Sequence, residues 1–360
     1  MTDAQSAPQT VSNTPLSVLD LAPVPEGATP TQALRNSRRL VRHVEALGFN
    51  RFWMAEHHNM TGIASAATAV ALAYVGEGTH TIRLGAGGVM LPNHAPLAVA
   101  EQFGTLESLY PGRIDLGLGR APGTDMATAR TLRRTLVGDE SRFPQDVGEL
   151  QAYFAEVQPG QQVQAVPGGG LKVPLWILGS STFGAELAAY LGLPFAFASH
   201  FAPAMLEPAL AVYRAHFRPS AQLQAPHAML GLSVFAADTD AEAALLASSQ
   251  QQAFVNLRTG RPGPLPPPAP DYVEGLHPQL RGLIEDYMSC AVIGGPETVH
   301  KGLQAFIARS GADELMITCN MFDFDKRLRS YEIIAEISEL TPPSSSGRPE
   351  AEPEDPAAQA

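Results

Sequence analysis

Glu56, His57 and His58 follow directly on the apolar run Phe52-Trp53-Met54-Ala55. Titratable groups are costly to bury unless they are paired. Three of them at the end of an apolar strand therefore mark an edge shared by core and cavity. Histidine exchanges protons near neutrality, which suits this edge to acid–base work. Taken alone, the triplet reads more readily as a strand tip reaching solvent.

Two further groups suit an anion. Ser180, Ser181 and Thr182 follow Gly179 where a short apolar run turns into a helical pattern. Their hydroxyls, with the free N–H groups of a helix start, suit a phosphate or an ordinary N-cap. Arg120 closes the run 114–118 just after Gly119. Its guanidinium either grips phosphate oxygens in a two-pronged bond or pairs with a carboxylate. His200 ends the run 195–198, as a pocket lining or as a hydrogen-bonded structural imidazole. Met90, a core residue or a cofactor contact, stands beside Gly85, Gly87 and Gly88, which weaken a strand and are expected to mark strain or a ligand against the backbone.

The elements that must position these residues alternate along the chain. Apolar runs at 16–21, 52–55, 82–91, 114–118, 175–178, 195–198, 230–236 and 314–318 read as strands, and helical sequence follows them. Thr29-Pro30-Thr31-Gln32 spells a capping box before the first helix. A short extended piece is expected at 291–293. Alternation of this kind predicts a parallel sheet, and eight repeats predict a closed (β/α)8 TIM barrel. The alternative, a doubly wound open sheet, lacks the G-x-G-x-x-G that would follow its first strand. Barrel closure would gather Glu56, His57, His58, Met90, Asn93, Arg120, Ser180–Thr182, His200 and Asn320 on one rim. The opposite rim is expected to hold mostly glycine, proline and surface charges.

The chain has 360 residues, 45% of them hydrophobic, and a formal net charge of -12. Dispersed lysines and arginines exclude a broad cationic face for nucleic acid or an anionic membrane. Cys290 and Cys319 have neither metal-ligand nor disulfide spacing, so no metal is expected, and the cysteines fit a reducing cytoplasm. No run reaches membrane-spanning length and the N-terminus lacks a signal-peptide pattern. Residues 1–14 and 341–360 read as disordered tails around one barrel domain, 15–340.

The run from Phe52 to His58, Gly85-Ala86-Gly87-Gly88-Val89-Met90-Leu91-Pro92, the stretch from Gly112 to Arg120, and Ser180-Ser181-Thr182 resemble the bacterial luciferase-like flavin monooxygenases, in the non-luminescent branch with a Glu-His-His signature. The resemblance spans 16–340. It implies a (β/α)8 barrel that binds reduced FMN at the rim, as a homodimer. His57 matches the catalytic histidine, Arg120 the arginine on the FMN phosphate, and Ser180, Ser181 and Thr182 the phosphate-binding turn. Met90 matches a residue against the flavin ring, and Gly87–Gly88 a non-proline cis peptide bond. Residues 258–295, between strands 7 and 8, match a variable lid, which their prolines would make semi-rigid. Glu56, His58 and His200 are candidates for the substrate pocket.

The implied chemistry is monooxygenation of a small-molecule substrate by O2 through a flavin C4a-peroxide, sheltered from water by the barrel mouth. With no NAD(P)H fingerprint, reduced flavin is expected from a separate NAD(P)H:flavin reductase. Two alternatives keep the barrel: hydride transfer with the deazaflavin F420, which shares the phosphate end, and a non-catalytic flavin-binding protein.

Overall fold

The computed structural model describes residues 9–121, 123–132 and 142–343. Its strands are β1 (Leu16–Asp20), β2 (Arg51–Met54), β3 (Arg83–Met90), β4 (Ile114–Gly119), β5 (Leu175–Gly179), β6 (Phe195–Phe197), β7 (Ala228–Ala236), β8 (Ala291–Gly294) and β9 (Glu314–Thr318). All except β8 form a closed parallel barrel in the order β1 to β7, then β9, which returns to β1 through Leu16↔Leu315 and Val18↔Ile317. The expected (β/α)8 barrel is thus the fold. The extended piece near 291 is a ninth strand, parallel to the outer half of β7 through Val234↔Val292.

The helices are α1 (Pro30–Ala46), α2 (Thr68–Gly76), α3 (Pro96–Leu109), α4 (Met126–Leu132), α5 (Phe143–Phe154), α6 (Thr182–Leu191), α7 (Leu206–His216), α8 (Asp240–Arg258), α9 (Pro278–Tyr287), α10 (Pro296–Ser310) and α11 (Phe324–Ile337). Alternate residues of the strands meet them in the main core, where Val18, Phe52, Leu84, Leu116 and Ile177 are fully buried. Each such side chain contributes about 1.5–3 kcal/mol of burial. α1 starts as its sequence predicts, with Thr29 accepting from the Gln32 N–H at 3.2 Å. The capping box is only half made, because the Gln32 amide turns forward to Asn36. α7 is the helix expected after the sixth strand, for which the sequence reading gave no bounds. Leu206, Ala209, Leu210 and Tyr213 carry its buried stripe, and Pro208 is tolerated in the first turn.

Most of the expected tails, 1–8 and 344–360, lie outside the described residues, as do residues 133–136 at the end of the helix that the sequence predicts around 125–136. The N-terminal tail does not extend to Thr14. A 3-10 turn at Val11–Asn13 buries Val11, whose N–H donates to Gln304 of α10 at 3.1 Å. No helix among the described residues is long and apolar enough to cross a membrane.

Inside the barrel the side chains stack in layers. Leu19, Trp53, Trp176, Ala196, Met229 and Met316 form an apolar layer separate from the main core, with Trp53 edge-on to Trp176 at 5.2 Å. Beneath it, Arg51 bridges Asp115 at 2.7 Å and Glu314 at 2.9 Å, and Arg83 adds a second bond to Asp115 at 2.6 Å. Ser17 and His227 also bond Glu314, and the Arg51 guanidinium lies 4.9 Å from the Trp176 ring. The N-terminal rim is therefore a buried ion-pair plug, where surface charges were expected. Two of the β3 glycines, Gly85 and Gly87, also face interior side chains. A Cβ at Gly85 would overlap the Trp53 indole, and one at Gly87 would lie 2.8 Å from Leu19 Cδ1. They make room for interior side chains. The Gly87–Gly88 peptide bond is cis.

Candidate active site

β2 delivers Glu56, His57 and His58 to the C-terminal rim, and the three side chains diverge. Glu56 is 2% exposed. Its Oε1 accepts from His58 Nε2 and from His94 Nε2, both at 2.8 Å, and its Oε2 accepts from the Met90 N–H at 3.2 Å. Burial alone would raise its pKa. The hydrogen bonds from His94, His58 and Met90, with the charge of His94, outweigh burial and hold the carboxyl below its ordinary range. Glu56 thus anchors two loops instead of lining a pocket, and His58 is tied to it. His94, in the loop after β3, is a partner that sequence reading missed. Its place directly after Asn93, at the end of an apolar strand, was the available signal.

His57 turns the other way. Its Nδ1 lies 3.2 Å from the Gly123 carbonyl, which can only accept, so the ring proton sits on Nδ1 and Nε2 carries the lone pair. Burial lowers the His57 pKa, and the Gly123 bond and the Glu56 charge recover only part of that loss. Met90 fills the gap between the two loops. A Cβ at Gly119 would lie 2.8 Å from its sulfur, and one at Gly123 2.9 Å from its Cγ. His57, Met90 and the end of β4 are therefore immediate neighbours.

Arg120 continues from the end of β4. Its guanidinium carbon lies 4.1 Å from the centroid of Phe183, in the first turn of α6, and among the described residues it has no carboxylate partner. Ser181 occupies the N-cap of α6, but its side chain makes no capping bond. Ser180 is exposed and Thr182 half-buried. Cation, hydroxyls and helix start thus stand together.

Across the mouth, His200 leans over β7. A Cβ at Gly231 would overlap its Nδ1, which is buried and without a partner, while the residue is partly exposed. Burial, and then the charge of His57, push its pKa down to about 4. Asn320, after β9, donates to Gln250 at 3.2 Å, and Gln250 donates to the Tyr287 hydroxyl at 2.8 Å. This chain ties the rim to α9 within the expected lid. The proline-rich arm of this segment is pinned to the loop after β1 by Leu265 N–H to Val24 O and Glu26 N–H to Leu265 O, each 2.8 Å.

Comparison with known proteins identifies the family and the fold. The family model described as luciferase-like monooxygenase matches residues 14–314. A curated protein of Escherichia coli (strain K12), described as a luciferase-like monooxygenase, is 51% identical over 323 residues, covering 90% of this chain and 96% of its own. The structure of apo-MsnO8 superposes with a TM-score of 0.81 at 36% identity, over 92% of this chain and all of the other. The oxygenating constituent of 3,6-diketocamphane monooxygenase, solved with FMN, has the same fold, with a TM-score of 0.68 at 15% identity over 92% of this chain and 98% of its own.

Proposed function

The chain belongs to the luciferase-like monooxygenase family, and on that premise we propose that it is an FMN-dependent monooxygenase that oxidises a small organic molecule with O2. The observation that carries this reading is Arg120, a cation with no described carboxylate partner, lying on Phe183 at the uncapped start of α6. These residues fit the phosphate of FMN: Arg120 neutralises its charge, and Ser180, Ser181, Thr182 and the first N–H groups of α6 donate to its oxygens. When bound, reduced FMN supplies the electrons that activate O2.

The chain's own residues orient, shelter and move protons. His57, fixed by the Gly123 carbonyl, holds an Nε2 lone pair on the rim as a general base. His200 faces the same mouth as a neutral imidazole and contacts the substrate. The Trp53 and Trp176 layer seals the floor against water, and the pinned lid covers the loops after β1 and β2. The reading includes a separate NAD(P)H:flavin reductase, a homodimer and a cytoplasmic setting.

Anaerobic titration of the purified protein with FMN and with F420, followed by reoxidation in air, tests the proposal. The expected result is saturable FMN binding and oxygen-dependent turnover of reduced FMN. Binding of F420 alone would overturn it.

A further inference from the structure

One cluster at the rim has no part in the flavin reading. Oε1 of Glu56, Nε2 of His58 and Nε2 of His94 all lie within 4.8 Å of one another, and both nitrogens are 2.8 Å from the same oxygen. We propose that these three residues form a binding site for a first-row divalent transition-metal ion, with zinc as the best match.

Charge is the first argument. Asp20, Asp115 and Glu314 are buried carboxylates as well, and each has an arginine: Arg327 at 2.8 Å, Arg51 with Arg83, and Arg51 respectively. Glu45, also buried, is instead held by the consecutive N–H groups of His80, Thr81 and Ile82. Glu56 has neither solution. It receives one backbone N–H and, among the described residues, no lysine or arginine, so its buried charge is met only by two imidazoles. A divalent cation at the same point would neutralise it directly.

Donor chemistry selects the ion. Two imidazole nitrogens and one carboxylate oxygen suit zinc and its neighbours, whereas magnesium and calcium favour all-oxygen sets. On binding, each neutral imidazole carries its proton on Nδ1 and turns the Nε2 lone pair to the ion. Side-chain exposures of 17% for His58 and 30% for His94 leave a path from solvent. The Met90 N–H already fixes the second carboxylate oxygen, as supporting hydrogen bonds do around bound metals. His57 is not in the set, because its ring is turned to Gly123. A bound ion would clamp the loop after β2 to the loop after β3.

The proposal is independent of the flavin reading, and so is its test. Untagged full-length protein is stripped with a chelator, dialysed and titrated calorimetrically with zinc chloride and, separately, magnesium chloride. Wild type is expected to take up one zinc ion with a Kd of about 10 µM or tighter, and no magnesium. E56Q and H94N are each expected to weaken zinc binding by about tenfold or more, and zinc is expected to raise the Tm of wild type only. Because E56Q removes a buried charge and can fail to fold, H94N, whose ring is partly exposed, carries the test by itself. Absence of zinc uptake by wild type would overturn the proposal, as would unchanged uptake by folded H94N, which would put the ion on other histidines.

Discussion

The Arg120 guanidinium lies 4.1 Å from the Phe183 ring centroid with no described carboxylate to neutralise it. A cation held on an aromatic face at a helix start is already oriented when an anion arrives. R120A is therefore expected to weaken FMN binding by about 10- to 100-fold, the loss of a charge-assisted hydrogen-bond pair. R120K should recover only part of it, since an ammonium cannot make the two-pronged bond. Fluorescence quenching of FMN measures both. Unchanged affinity in R120A would remove the phosphate from this position.

The Gly123 carbonyl holds the Nδ1 proton of His57 and leaves the lone pair on Nε2. H57N is expected to lower kcat by about 10²- to 10⁴-fold while leaving the FMN Kd near that of wild type, because the proposed phosphate site at Arg120 and Ser181 does not include it. A parallel loss of both would instead mean that His57 shapes the flavin pocket.

His200 titrates far from a free imidazole, and the sign of its effect follows. Its folded pKa, pushed down to about 4 by burial and by the charge of His57, lies below the unfolded value, so the unfolded chain binds more protons between the two. Stability should fall as the pH drops from about 7 to 5, with up to about 2 kcal/mol of the loss due to this residue. Urea unfolding of wild type and H200N at both pH values checks it: the variant should show the shallower decline.

The same imidazole fills the space above Gly231. In G231A the new methyl group must displace the ring. KM for the organic substrate is expected to rise several-fold with FMN binding unchanged, a split that a general loss of folding would not produce.

Arg51 joins two buried carboxylates, Asp115 and Glu314, under the tryptophan layer. R51A leaves both partly uncompensated and should destabilise the protein by about 3–5 kcal/mol, measured by chemical denaturation. R51M should be milder only if accompanied by neutralisation of a carboxylate, as in the double variant R51M/E314Q.

Strand order, the barrel, and the rim positions of His57, Arg120, Ser181 and His200 are legible in the sequence, because they depend on local matters. Apolar runs alternate with helical spacing, and a polar residue at the end of a run must emerge where the run does. The resemblance of a few motifs added the expectation of a flavin cofactor. What could not be read was every relationship between residues far apart in sequence. Glu56 was taken for a pocket lining, yet it is the joint between His58 and His94, which lies 38 positions away. Gly85 and Gly87 suggested a ligand against the backbone, yet they make space for Trp53 and Leu19 from neighbouring strands. The opposite rim was expected to hold mostly glycine, proline and surface charges, yet closure of β9 onto β1 brings Arg51, Asp115 and Glu314 together inside the barrel. The reason is geometric. A strand's own pattern determines which side of the sheet a residue takes, but the curvature and register of the closed barrel decide which other inward-facing residue it meets.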